Sequence, residues 1–373
     1  MNLLLAMVLA ATQAGSDPAA PATAPQIEKL IQDGKADDAL QQGRVAVAAH
    51  PDNVDLRIAL ARALAAKARH INRQVNVAMS KADVDRGQVL LKDTELAAAP
   101  ATVDYDPALF EEALLHLGFA IEHAPKREDL RVFQCFLLTD YGRISRAKAA
   151  IESALVALPK TPALAKTMTA YGAERAKRGD PAGGAALLAP VVKAFPDQAP
   201  ILIDYANVLT RLGRKAEAYA AFDRATSLAP KEASYARTKA VGAVLLRDFR
   251  RAQTAFDAAF RIGRGIADEF ASCAAAYGVD PKAGGALMRG LASPAPSSDP
   301  ALTELASKFA RAGAKGPSST EAMTLARELV SSEQYVFAIP VLDRAIKAAP
   351  KNAEAKSLMA AAYRGLGCEA LAN

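Results

Sequence analysis

A pattern that recurs every 34 residues limits what this chain can fold into more than any other feature. In the segment ending at Pro230, apolar Leu202, Tyr205, Ala206 and Leu209 lead into Gly213. Ala218, Phe222, Ala225 and Leu228 then lead into Pro230. Spacings of three and four mark one apolar stripe on each of two helices. The glycine breaks the first helix and the proline stops the second. Thirty-four residues upstream, Gly179, Leu188, Val191 and Pro196 stand in the places of Gly213, Phe222, Ala225 and Pro230. Downstream, Ala252, Phe256, Ala259 and Ile262 repeat the second-helix stripe. Earlier copies run through Gly142, Ala147, Ile151, Ala154 and Pro159, and through Ala113, Leu117, Ala120 and Pro125. The first copy shows Gly34, Ala39, Ala46 and Pro51, and a late one shows Ala338, Leu342, Ala345 and Pro350. A helix pair of this size cannot bury its apolar face alone, so neighbouring pairs must stack.

The small–large–small spacing of the second helix, the closing proline and the 34-residue period resemble the tetratricopeptide repeat family. Six copies stand in register between Val54 and Arg264. The reading is therefore all-α: a right-handed superhelical solenoid of antiparallel helix pairs, about seven to eight repeats long. Residues 1–14 read as a signal peptide, 15–23 as a linker and 24–294 as the solenoid. Residues 295–373 read as C-terminal repeats closed by a capping helix over Lys351 to Gly367, with a polar outer face.

Several places depart from the pattern. After the helix Leu56 to Ala66, its partner is delayed to Pro107 to His123, which makes 67–106 an insertion too long for an ordinary helix–helix connection. Extra helix on both arms, with a loop around Ala98 to Asp106, fits that stretch. Arg131 and Gln134 sit where the family usually carries apolar residues, so that helix is expected to turn onto Leu130, Phe133, Leu137 and Tyr141. Past Gly263 the register decays. Ala267 to Ala292 reads as a degenerate pair, SPAPSSDP as a linker, and Asp299 to Ala312 as a helix without an obvious partner.

Composition agrees with a folded, water-soluble chain: 51% hydrophobic, 23% charged, 6% aromatic, no Trp. Disorder throughout is excluded. The net charge of +6 is mild and dispersed, which allows an acidic partner without requiring nucleic acid. The apolar run Leu3 to Ala11 is too short to span a membrane but suits a signal-peptide core, although no Lys or Arg precedes it. Periplasmic or secreted placement is the expectation, with the cytoplasm as the alternative. No other segment reads as a transmembrane span. Cys135, Cys273 and Cys368 are odd in number and far apart, which suits neither disulfides nor zinc. The first two fall in apolar helices and read as buried thiols, whereas the place of Cys368 near the end suits exposure.

Catalytic signatures are missing. There is no phosphate-binding glycine loop, no nucleophile elbow and no HExxH. Glu112, His116 and His123 share a helix face and could approach a metal, but two turns put the histidines about 10 Å apart. Ordinary surface roles are the stronger reading, so no metal, cofactor or catalytic residue is assigned. Arg247, Arg250, Arg251, Arg261 and Arg264 interleave with Phe249, Phe256 and Phe260. Those phenylalanines occupy repeat core positions, so a core with solvated arginines is favoured over nucleic-acid binding, and an acidic protein suits the arginines.

The resemblance implies that the first helices line a concave groove. Its positions are Val132, Phe136 and Asp140; Thr169, Ala173 and Lys177; Ile203, Asn207 and Arg211; and Arg237, Val241 and Leu245, with Phe133 beside the first set. The candidate partner-binding residues are Phe133, Phe136, Asp140, Lys177, Ile203, Asn207, Arg211 and Arg237. Apolar side chains would supply burial, and the polar ones would fix the guest's backbone or acidic groups. Family members that grip chaperone C-termini use a lysine-and-asparagine clamp. Asn207 fills one clamp place, but Ile203 stands where lysine is needed, and Thr238, Asp268 and Ser272 take later places. The function expected is a non-enzymatic protein–protein scaffold of the cell envelope that takes a peptide or helix in the groove. A cytoplasmic adaptor or chaperone-like protein is the alternative, and a metal-binding enzyme the least favoured.

Overall fold

A computed structural model describes residues 21–68, 106–292 and 300–372, and every regular element among them is helical. The signal-peptide reading (1–14), nearly all of the 67–106 insertion and the linker 293–299 lie outside the described residues. The chain divides into two compact units, the first ending at Leu137 and the second running from Leu138 to the C-terminus.

In the first unit, α1 (Ala24–Gln32) and α2 (Ala36–Ala49) form a hairpin turned at Gly34. Helix α3 (54–68) pairs with α4 (Pro107–His123), and α5 (Glu128–Asp140) follows. Asp106 starts α4 by accepting from the Ala108 and Leu109 amides, with Pro107 at the first position, where its missing N–H costs nothing. Ile58, Ala61, Leu117, Ala120 and Leu130 form a closed apolar cluster, with Phe133 packed beside it. Of the stripe that the sequence indicates, Leu130, Leu137 and Tyr141 are buried and Phe133 is half-buried, while Cys135 and Leu138 are buried beside them. Arg131 is buried as well, and its Nε donates to the Pro125 carbonyl at 2.7 Å.

In the second unit the helices are α6 (Ile144–Ala157), α7 (Pro162–Lys177), α8 (Pro181–Ala194), α9 (Ala199–Arg211), α10 (Lys215–Leu228), α11 (Ala233–Leu245) and α12 (Phe249–Gly263). After them come α13 (Ile266–Val279), α14 (Pro281–Leu291), α15 (Pro300–Lys315), α16 (Thr320–Ser331), α17 (Tyr335–Ala348) and α18 (Ala353–Gly365). A short 3-10 turn, Glu369–Leu371, ends the described chain. From α7 to α12 the helices pair in sequence order, α7 with α8, α9 with α10 and α11 with α12. Each pair is stapled by the large residue of the second helix. Phe222, wholly buried between Ala218 and Ala225, contributes about 1.5–3 kcal/mol on burial.

The turns inside these pairs need one residue with positive φ. Gly179 (+89°) and Gly213 (+69°) supply it, and the next place in the period falls to Arg247 (+54°). The last two such turns use Glu333 (+60°) and then Gly367 (+64°). A side chain in this region costs roughly 1–2 kcal/mol, so the repeat geometry persists at Arg247 and Glu333 against local preference.

Beyond α12 the packing changes. Residues 270–278 of α13 are all buried, so this helix has no open face. It packs against α12, α14, α15 and α17. The helix that lacked an obvious partner, α15, pairs closely with α14. A Cβ on Gly313 would come within 2.4 Å of the Pro281 carbonyl and 2.8 Å of the Gly285 Cα, so only bare backbone permits the crossing. The C-terminal helices also return to earlier ones: α17 packs against α11 as well as α13, and the final turn reaches α9. Tyr363, 1% exposed, donates to the Leu245 carbonyl at 3.0 Å. This return corrects one expectation. Cys368 is 1% exposed, because the closing turn tucks it beside Arg211, and burial pushes its thiol up. Cys135 and Cys273 are buried, with burial pushing their thiols to about 12 and about 11.

Candidate functional site

Three first helices of the second unit, α7, α9 and α11, carry side chains in rows 34 residues apart. The first row is Thr169, Ile203 and Arg237. Thr169 is buried and donates to the Ala165 carbonyl at 2.8 Å, and Ile203 is 8% exposed. Arg237 is exposed, yet its guanidinium forms a two-pronged bond to the buried Asp268 carboxylate at 2.6 and 2.7 Å. Such paired, charge-assisted bonds are strong, and loss of either partner leaves the other's charge unmatched. Arg237 therefore secures α11 to α13 before it can greet a guest.

The second row is Ala173, Asn207 and Val241, half-buried on all three helices. The third is Lys177, Arg211 and Leu245. Lys177 is exposed, and the other two are half-buried. Arg211 donates to the Ala176 carbonyl at 3.4 Å and sits beside Gly367, while Leu245 is the residue that receives Tyr363. The C-terminal return thus takes up part of the third row. Beside Lys177, the half-buried Asp204 has its carboxyl pushed up by burial, a shift the lysine opposes.

Lys177, Ile203, Asn207, Arg211 and Arg237 accordingly lie on the first helices of one unit. Asp140 also belongs to this unit; it is buried and accepts from Arg178 at 3.2 Å. Phe133 and Phe136 stand in the first unit, both half-buried, with the Arg62 guanidinium 5.8 Å above the Phe133 ring. Val132, beside them, is half-buried too.

The other titratable groups singled out in the sequence go to separate partners. Glu112 accepts two bonds from Arg44, one from Nε at 3.1 Å and one from Nη2 at 2.5 Å. The His116 Nδ1 lies 3.3 Å from Arg57, and because a guanidinium can only donate, this nitrogen accepts. Burial first, and then Arg57, hold the His116 imidazole below its ordinary value. His123 stacks on Phe119 at 3.9 Å and its Nδ1 lies 2.9 Å from the Phe119 carbonyl. Among the described residues no group of three His, Cys, Asp or Glu is placed to hold a metal. Of the arginine-flanked phenylalanines, Phe249 and Phe256 are buried and Phe260 half-buried. Sequence reasoning missed the shared role of Arg237 and Asp268, whose signal was a cation and a carboxylate 31 residues apart on consecutive first helices.

The tetratricopeptide repeat family matches residues 175–241, from the end of α7 through most of α11. No curated protein matches the chain. Among solved structures, PilF of Pseudomonas aeruginosa is 14% identical, with 66% of this chain and 92% of that one covered and a TM-score of 0.30. PilW, a type IV pilus biogenesis factor, is 16% identical over 53% of this chain and 90% of that one, with a TM-score of 0.32. The C-terminal part of a tetratricopeptide repeat-containing protein from Cytophaga hutchinsonii is 9% identical over 90% and 99%, with a TM-score of 0.36. No described helix is long and apolar enough to cross a membrane.

Proposed function

We propose, taking the tetratricopeptide repeats over residues 175–241 as the premise, that this chain is a non-enzymatic scaffold that holds a peptide or helix of a partner protein on its first-helix face. One observation carries the reading. Ala173, Asn207 and Val241 occupy the same register place on three successive first helices, α7, α9 and α11, and are half-exposed on each. A row of this kind offers an apolar centre with one amide able to bond a guest's backbone. Buried neighbours such as Ile203 hold the row in place. Location in the cell envelope belongs to the same proposal and rests on the apolar run Leu3 to Ala11.

Two experiments test it. A photo-crosslinker at Asn207 should capture the partner in the native cell, while one at Val156, 89% exposed on the second helix α6, should not. Equal capture at both places removes the first-helix face from consideration. N-terminal sequencing of the protein isolated from its cell should show removal of the apolar run. An intact Met1 would rule out export by cleavage.

A further inference from the structure

The opposite, second-helix side of the second unit holds a hollow of about 900 Å3. It opens between α10 and α12, with α11 as its floor. Apolar groups of Tyr219, Ala236, Ala255 and Ile262 line it, and Ile262 is 40% exposed. At the N-terminal ends of α10 and α12 it continues into a smaller hollow of about 320 Å3, which shares Lys215, Asp248 and Arg250 with it and reaches α17. Cations gather there: Lys215, Arg247, Arg250, Arg344 and Lys347.

Carboxylates satisfy only some of them. Asp248 takes Lys215 at 3.4 Å. The buried Asp343 holds Lys347 at 2.7 Å and Arg247 at 3.7 Å. Exposed Arg250 and half-buried Arg344 have no carboxylate within ion-pair distance among the described residues. The Arg344 Nε is buried without a hydrogen-bond partner, an arrangement that proteins seldom leave unfilled. Asp248 lines both hollows and Glu232 the larger one, but cations outnumber carboxylates in the smaller hollow, and a concavity with such an excess concentrates ligands of the other sign.

The geometry narrows the ligand further. The N-terminus of α12 does not cradle a phosphate, because the Asp248 carboxylate already accepts from the Arg251 amide there. The Tyr219 ring is not a free stacking platform for a base, since the Arg251 guanidinium lies 4.0 Å over it. What is left is a long apolar trough with separate cations at one end. We propose that this hollow binds an acidic segment of a partner protein, with an aliphatic side chain against Ala236, Ala255 and Ile262 and carboxylates at Arg250 and Arg344. It is a second binding surface, on different helix faces from the Ala173–Asn207–Val241 row, and it stands or falls separately from that row.

Fluorescence anisotropy of the full chain with a labelled short peptide of alternating Glu and Leu tests the proposal. Saturable binding is expected, weakening as salt rises. Arg250→Glu should weaken it by about tenfold, which is about 1.4 kcal/mol, and Arg250→Lys should keep most of it. Asn207→Ala should leave it unchanged. Three results would overturn the proposal: no binding, equal binding of the matching Gln–Leu peptide, or wild-type affinity in Arg250→Glu. Displacement by inorganic phosphate at concentrations matching the peptide would also overturn it, by showing a simple anion site. Circular dichroism checks that Arg250→Glu is folded. If it is not, Arg250→Gln decides in its place, with weaker peptide binding supporting the proposal and unchanged binding overturning it.

Discussion

The two halves of the second unit use the same kind of helix and reach different architectures. From α7 to α12 each pair rests on the next, and the first helices keep one face partly open at Ala173, Asn207 and Val241. From α13 onward the face is gone: α13 is covered all round, α15 crosses α14 through bare glycine backbone, and α17 returns to α11. Period accounts for the contrast. While the 34-residue spacing holds, a pair can satisfy its apolar stripe only through its neighbours, and the array stays one-dimensional. Once the spacing lapses, the same stripes find each other in three dimensions and close a core.

The largest effect that should separate the halves is on Phe270. It is 1% exposed and touches the rings of Phe309 at 5.8 Å and Phe337 at 5.1 Å. Phe270→Ala should cost about 3–5 kcal/mol. Hydrogen exchange should then rise in α13, α15 and α17 together, whereas Phe222→Ala should loosen mainly α9 to α11. Equal spreading from both would erase the distinction.

Next comes the glycine crossing. Gly313→Ala should cost about 1–3 kcal/mol by overpacking, read from chemical denaturation. Gly290, which has nothing within 4 Å of an added Cβ, is the control; Gly290→Ala on the same pair of helices should be neutral or stabilise by up to about 1 kcal/mol. If both lose stability alike, close approach is not what the glycine at 313 provides.

A smaller change is expected from Tyr363→Phe, which removes the bond to Leu245 while keeping the ring. About 0.5–1.5 kcal/mol should be lost, along with faster reaction of Cys368 with a thiol reagent. Unchanged thiol kinetics would mean that the bond does not hold the closing turn in place. The smallest effect is a gain: Glu333→Gly relieves a left-handed residue at about 1–2 kcal/mol and adds backbone entropy at about 0.5–1 kcal/mol, for a net gain of roughly 0.5 kcal/mol. A loss in thermal melting would show that the Glu333 side chain does more than tolerate its backbone.

Legibility follows the same division. Gly179 and Gly213, and Phe222 and Phe256, recur at 34 residues, and Gly34 and Gly142 fill the same turn place in their hairpins, so the hairpins and the rows on the first helices could be read from spacing. Arg247 and Glu333 hid two turns, because residue type no longer signals the left-handed backbone there. In α13 the run from Phe270 to Gly278 is dominated by small residues (Ala271, Ser272, Cys273, Ala274, Ala275, Ala276 and Gly278), which are as compatible with a half-open face as with full burial. The contact of Tyr363 with Leu245 spans 118 residues and has no local signature at all. The cationic hollow was half visible: Arg247 and Arg250 stood out near the α12 start, but Arg344 and Lys347 arrive from a helix nearly a hundred residues later.

Arrays of this type commonly change length by gaining or losing whole hairpins, since an extra rung disturbs only the two beside it. The bond from Tyr363 to Leu245 withdraws that freedom from everything between them. A hairpin duplicated between α11 and α18 would carry the last helix away from its seat, while one duplicated before α9 would leave that seat where it is. An added hairpin is thereby better tolerated on the amino-terminal side of α9 than among the helices that the closing return ties together.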